Sequence, residues 1–169
     1  DAEEADRLVI SLEILANLAN DKRLAGWDGL GLAVQAYQKR ALGTVSWVAD
    51  LARASNRRFM VRLVKGAYWD SEIKWAQEKG LADYPVFVRK AATDLSYRAC
   101  AARLLEAKGH IFGQFATHNP RSALEVLALA DGRTDFEFQK LHGMGDGLYD
   151  LLQKRLGERF STRVYAPVG

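Results

Sequence analysis

Cysteine is nearly missing from this 169-residue sequence, with Cys100 the only one. A lone thiol rules out an internal disulfide and a CxxC metal site, and fits a reducing compartment. Histidine occurs three times, at His110, His118 and His142, without HxH or HExxH spacing, so no metal site is expected. There is no GxSxG elbow and no Walker A loop, so neither a serine hydrolase nor a P-loop nucleotidase is indicated. No apolar run approaches the ~20 residues of a membrane span, and no signal peptide is visible. An excess of one charge is also lacking. The formal net charge is +3, with Lys and Arg spread along the chain, which argues against direct nucleic-acid binding by this segment. The few prolines never join glycines in a linker, and no segment is of low complexity. What remains is ordinary globular composition, at a length that suits one domain with a core.

Periodicity divides the chain into alternating helices and strands. A helix is expected over 1–20, because Ala5, Leu8, Leu12, Leu15 and Ala19 share one face. Asp1 stands at its N-cap and Glu4 at the capping-box position. Further helices are expected over 44–55, from Asp70 or Ser71 to Glu78, from a Thr93 cap through Leu105, over 120–131 and over 148–156. The helix after Thr93 should bury Tyr97, Cys100, Ala101, Leu104 and Leu105. The one after the Asn119 cap and Pro120 should bury Ala123, Leu124, Leu127 and Ala130. Strands are expected near 32, 61, 113, 138 and 164. Strict alternation of strand and helix implies a parallel sheet, because parallel strands need a crossover. A flavodoxin-like open sheet and part of a barrel both satisfy that pattern.

In parallel α/β folds the working residues stand at the carboxyl ends of strands. Those positions here are Asp1, Gln35, Arg62, Lys65, Thr117, His118, Asn119, Gln139, His142 and Tyr165. Only Asp1 is an acid, and a rim of donors and cations suits an anionic ligand. The segment Arg62-Leu63-Val64-Lys65-Gly66-Ala67-Tyr68-Trp69-Asp70 concentrates this chemistry. Phe59, Val61, Leu63 and Val64 suit a strand buried on both faces. Gly66 lets the chain turn and lets a ligand approach the backbone. With two cations and two aromatic rings, the turn suits an anionic, planar ligand such as a dinucleotide. A buried strand with a snorkelling lysine accounts for the same residues. Thr117 to Asn119 lead into the helix start at Pro120, a ready phosphate site. His118 reads equally as a locally satisfied cap residue, and His142 as a buried, hydrogen-bonded histidine.

The segments QAYQKR (from Gln35), RLVKGAYWD (from Arg62), FATHNP (from Phe115), LHGMG (from Leu141) and YAPVG (from Tyr165) occur in one order. In that order they resemble the proline dehydrogenase domain of bacterial proline utilization A flavoproteins. The resemblance runs from Asp1 to Gly169. It implies an α/β fold, an incomplete (βα)8 TIM-type barrel from the end of strand 3 to strand 8. Residues 1–169 would then be a single FAD-binding domain truncated at both ends. The implied reaction is the oxidation of L-proline to Δ1-pyrroline-5-carboxylate, with electrons passed to a quinone. The setting implied is the bacterial cytoplasm with peripheral membrane contact, and an aldehyde dehydrogenase domain in the same full-length chain.

The resemblance also implies roles. Arg62 is the catalytic group near the reactive edge of the flavin. Asp1, Leu141 and Tyr165 are substrate-side. Gln35, Arg62, Val64, Lys65, Gly66, Ala67, Trp69, Arg89, Lys90, Thr117, His118, Asn119 and Gln139 hold FAD. Val88 departs from the family's usual Thr in a T-R-K segment. Two other readings stand beside this one. A phosphate-binding barrel isomerase or aldolase would use the Pro120 helix start for phosphate and Lys65 as base or Schiff base. An inactive fragment would do neither.

Overall fold

The computed structural model describes residues 4–157 and 160–166. The expected cap at Asp1 lies outside them. Its partner Glu4 makes no cap hydrogen bond and instead pairs with Arg7 at 3.3 Å. The first helix is accordingly a 3-10 turn, Ala5–Arg7, followed by α1, Leu8–Ala19.

Five parallel strands lie side by side in chain order: β1 (Gly31–Gln35), β2 (Phe59–Val64), β3 (Ile111–Ala116), β4 (Phe136–Leu141) and β5 (Thr162–Tyr165). That order decides between the two architectures. A doubly wound sheet reverses its strand order at a switch point. Here the order never reverses, so successive right-handed crossovers step one way and place their helices on one side. The result is part of a (βα)8 barrel.

The helices are α2 (Ala41–Ala54), α3 (Trp69–Glu78), α4 (Lys90–Glu106), α5 (Pro120–Ala130) and α6 (Asp146–Leu156). Along the outside, α1 packs on α2, α2 on α4, and α4 on α5. Between them and the strands lies the core, where Val45, Val48, Phe59, Val61, Leu63, Leu104, Phe115 and Phe138 are fully enclosed. Each large side chain buried there contributes about 1.5–3 kcal/mol. Phe115, Phe136, Phe138, Tyr149 and Phe160 continue it as edge-on and tilted ring pairs with centroids 5.3–6.4 Å apart.

Four expectations need correction. β2 is buried on one face only: Phe59, Val61 and Leu63 point to the helices, while Met60, Arg62 and Val64 are half-buried on the inner face. α4 starts at Lys90, with Arg89 in the extended cap position, so Thr93 sits inside the first turn and caps nothing. The reason is the extended backbone at Arg89, which ends the loop before Thr93 is reached. On α5 the buried stripe is Ser122, Ala123, Val126 and Ala130, and Leu124 is 56% exposed. Contact with α4 rotates that face away from the most apolar one. His142 is exposed rather than buried.

Candidate functional site

Strand register determines which side chains share the inner face. Arg62 lies level with Ala33 and Gln114, and Gln114 with Glu137. One row higher, Gln35 pairs with Val64, Ala116 with Gln139, and Gln139 with Arg163. Leu141 and Tyr165 pair at the carboxyl rim. The two-residue period of a strand therefore puts Arg62, Val64, Gln139, Leu141 and Tyr165 on one concave surface.

A cavity of about 490 Å³ opens there, lined by Arg62, Val64, Lys65, Gly66, Ala67, Thr117, His118, Gln139, Leu141 and Tyr165, with Ala116 and Lys140. A second cavity of about 350 Å³ is lined by Tyr37, Trp69, Phe87, Val88, Lys90 and Thr93. Lys65 and Gly66 line both, so the two spaces meet at the turn after β2. The structure thus gathers most of the residues singled out from sequence around two adjoining cavities. Gln35, Arg89 and Asn119 are not among the residues lining them. Gln35 is buried at the end of β1, Arg89 is an exposed helix cap, and Asn119 Oδ1 accepts from Ser122 N at 3.1 Å as the cap of α5.

Several contacts hold the lining in place. The Arg62 guanidinium stands 5.7 Å from the centre of the Tyr165 ring. Lys65 Nζ donates to Asp94 Oδ1 at 2.6 Å and lies 5.8 Å from the Tyr97 ring centre, while Lys90 Nζ donates to Asp94 Oδ2 at 2.7 Å. The Lys65 hydrogen bond, then that of Lys90, holds the Asp94 carboxyl below the usual aspartate range. Trp69 Nε1 donates to Phe87 O at 2.9 Å, which orients the indole along the second cavity. Leu141 N donates to His118 Nε2 at 3.1 Å, which ties the imidazole to the end of β4. Thr117 Oγ1 accepts from Asn119 N at 3.1 Å, and Thr117 O accepts from the Tyr149 hydroxyl at 2.6 Å.

Gly66 is required by its neighbours, whatever it also allows a ligand. Its φ is +127°, and a Cβ there would lie 2.5 Å from the Tyr37 ring. The rim also has more acid than its sequence suggested. Asp94 sits against Lys65, and Glu137 lies two rows below the rim, 4% exposed. Both were legible in hindsight. Asp94 stands four residues after Lys90 on a helix. Glu137 alternates with Phe136 and Phe138, so a charge had to face inward.

Comparison with known proteins settles the family. The family model described as proline dehydrogenase matches residues 1–169. The chain belongs to the proline dehydrogenase family. It is 50% identical over 175 residues to the bifunctional protein PutA of Klebsiella aerogenes, covering all of this chain and 13% of that protein. It is 31% identical to the proline dehydrogenase of Deinococcus radiodurans, again across the whole chain and 48% of that protein. Among solved structures, a mutant of Bradyrhizobium japonicum proline utilization A superposes with a TM-score of 0.96 at 58% identity, covering all of this chain and 17% of that one. The chain therefore spans only a small part of the PutA proteins that it matches.

Proline dehydrogenases are flavin-dependent oxidoreductases, and the residues present fit such a group. The groove carries two cationic side chains at the meeting point and far end, Lys65 and Lys90, and a third, Arg62, on the inner face. Gln139 is 1% exposed, and its Oε1 has no hydrogen-bond partner among the described residues. An anionic, flat, hydrogen-bonding ligand matches this donor set. The isomerase or aldolase alternative does not survive. The family is that of proline dehydrogenase, matched over residues 1–169.

Proposed function

We propose that this chain is the FAD-binding core of an enzyme that oxidises L-proline to Δ1-pyrroline-5-carboxylate. The observation that carries the reading is the placement of Arg62, on the inner face, lining the groove and stacked over Tyr165. When bound, FAD supplies the acceptor for the hydride that leaves the ring carbon beside the proline nitrogen.

The chain's own residues bind, orient and shield. Lys65 and Lys90, held together by Asp94, give the diphosphate a cationic seat where the two cavities meet. The start of α5 adds a positive helix end beside Thr117 and His118. Gln139, Val64 and Ala67 border the ring portion, and Trp69 borders the second cavity. Arg62 supplies a fixed cation beside the ring, which favours its reduced, negatively charged form. Leu141 and Tyr165, paired at the strand ends, wall the substrate side. Asp1 is assigned to the same side from the resemblance alone, and no protein nucleophile is needed.

Residues 1–169 act as one domain in this reading, within a longer chain that also carries an aldehyde dehydrogenase domain. Electrons leave to a quinone, which places the protein in the bacterial cytoplasm with peripheral membrane contact. Among the described residues no helix is long and apolar enough to cross a membrane. This segment makes no direct contact with nucleic acid. The test is flavin content by visible absorbance and proline-dependent quinone reduction, on the full-length protein and on residues 1–169. Flavin and turnover in the full-length protein support the reading, and their absence there overturns it. The fragment's result decides the inactive-fragment reading.

A further inference from the structure

Below the rim, β3, β4 and β5 each send a polar side chain to one carboxylate. Glu137 Oε1 accepts from Gln114 Nε2 at 2.8 Å, from Gln139 Nε2 at 2.8 Å and from Arg163 Nε at 2.7 Å. Its Oε2 accepts from Arg163 Nη2 at 3.1 Å. Burial pushes this carboxyl up, but hydrogen bonds from Arg163, Gln139 and Gln114 outweigh it and leave it below the usual glutamate range. An ionised carboxylate only accepts. The amide of Gln139 must therefore turn its NH2 to Glu137 and keep its oxygen for another partner. Among the described residues that oxygen is enclosed and has none. Enclosed carbonyls without a donor are uncommon, and each asks for a water or a ligand. Gln139 lines the rim cavity, beside Arg62 and Lys65.

We propose that Glu137 is a positioning residue, whose carboxylate fixes the Gln139 amide so that the cavity offers an acceptor to a ligand N–H. The inference rests on the flavin reading, because the pyrimidine edge of a flavin carries one imide N–H between two carbonyls. A freely rotating glutamine would present nitrogen or oxygen indifferently. One pinned by a carboxylate presents oxygen, and so selects the N–H over its carbonyl neighbours.

The experiment uses the full-length protein stripped of flavin and rebuilt with either FAD or N3-methyl-FAD, which lacks that N–H. Affinity is read from flavin fluorescence. Wild type should prefer FAD by at least about tenfold, the worth of one hydrogen bond left unmade. Glu137→Gln keeps the size but lets either amide face turn inward, so the preference should narrow to within about threefold. Glu137→Asp keeps the charge opposite Arg163 while withdrawing from Gln139. It should narrow the preference too, and serves where Glu137→Gln does not fold. A merely structural role would weaken both flavins alike and leave the ratio untouched. An unchanged ratio in either variant, or no preference in wild type, overturns the proposal. A wild-type protein that binds neither flavin overturns the flavin reading itself, and this inference with it.

Discussion

Replacing Gly66 by alanine should destabilise the protein through two separable effects. The first is local: φ is +127°, a region that L-residues avoid at a cost of about 1–3 kcal/mol. The second is a collision. The new Cβ would lie 2.5 Å from Tyr37 Cγ and Cδ2 and 2.7 Å from Cδ1, the root of the ring rather than its tip. Tyr37 has little freedom to retreat, because it is 2% exposed. Its N–H donates to Lys65 O at 2.8 Å and its carbonyl accepts from Phe87 N at 2.7 Å. Overpacking of this kind costs about 1–3 kcal/mol, so Gly66→Ala should lose about 2–6 kcal/mol altogether. The assay is thermal release of flavin from the full-length protein, repeated in a Tyr37→Leu background. There the steric part should vanish and only the backbone part remain, a coupling that a double-mutant cycle resolves. A loss below about 1 kcal/mol refutes the strain argument. An equal loss in both backgrounds refutes the role of Tyr37.

Asn119→Ala should cost about 1 kcal/mol in unfolding experiments through loss of the Ser122 cap, and Asn119→Asp close to nothing. If flavin affinity falls equally in both, Asn119 contacts the cofactor as well. The depressed Asp94 carboxyl stabilises the fold above the unfolded aspartate value of about 3.9, a contribution lost as pH falls through its lower folded value. Asp94→Asn should therefore flatten the acid limb of stability against pH, and an unchanged limb would disprove that linkage. Glu137, also depressed, acts in the same direction, so Glu137→Gln should remove a further part of that limb. Tyr165→Leu removes the ring over which Arg62 stands, a contact worth about 0.5–1 kcal/mol, and should raise the KM for proline while flavin stays bound. An unchanged KM would separate Tyr165 from the substrate side.

Local pattern determined a good deal by itself. The positions of β2 and β4, the Asn119–Pro120 start of α5, and the buried stripe of α4 from Tyr97 to Leu105 follow from side-chain period and capping, which act within a few residues. The motifs at Gln35, Arg62, Phe115, Leu141 and Tyr165 carried the family, and each sends at least one residue to the lining of the two cavities. Everything that depended on which strand lies beside which was settled only in three dimensions. Strand order distinguished part of a barrel from an open sheet, and the sequence pattern is the same for both. The pairing of Lys65 with Asp94 and of Glu137 with Arg163 spans 29 and 26 residues, distances over which periodicity carries no information. The half-buried inner face of β2 is likewise a property of the barrel's concave side. A strand shows which residues alternate, but only the neighbouring strands decide which face is dry, which is polar, and which acid sits beneath a row of cations.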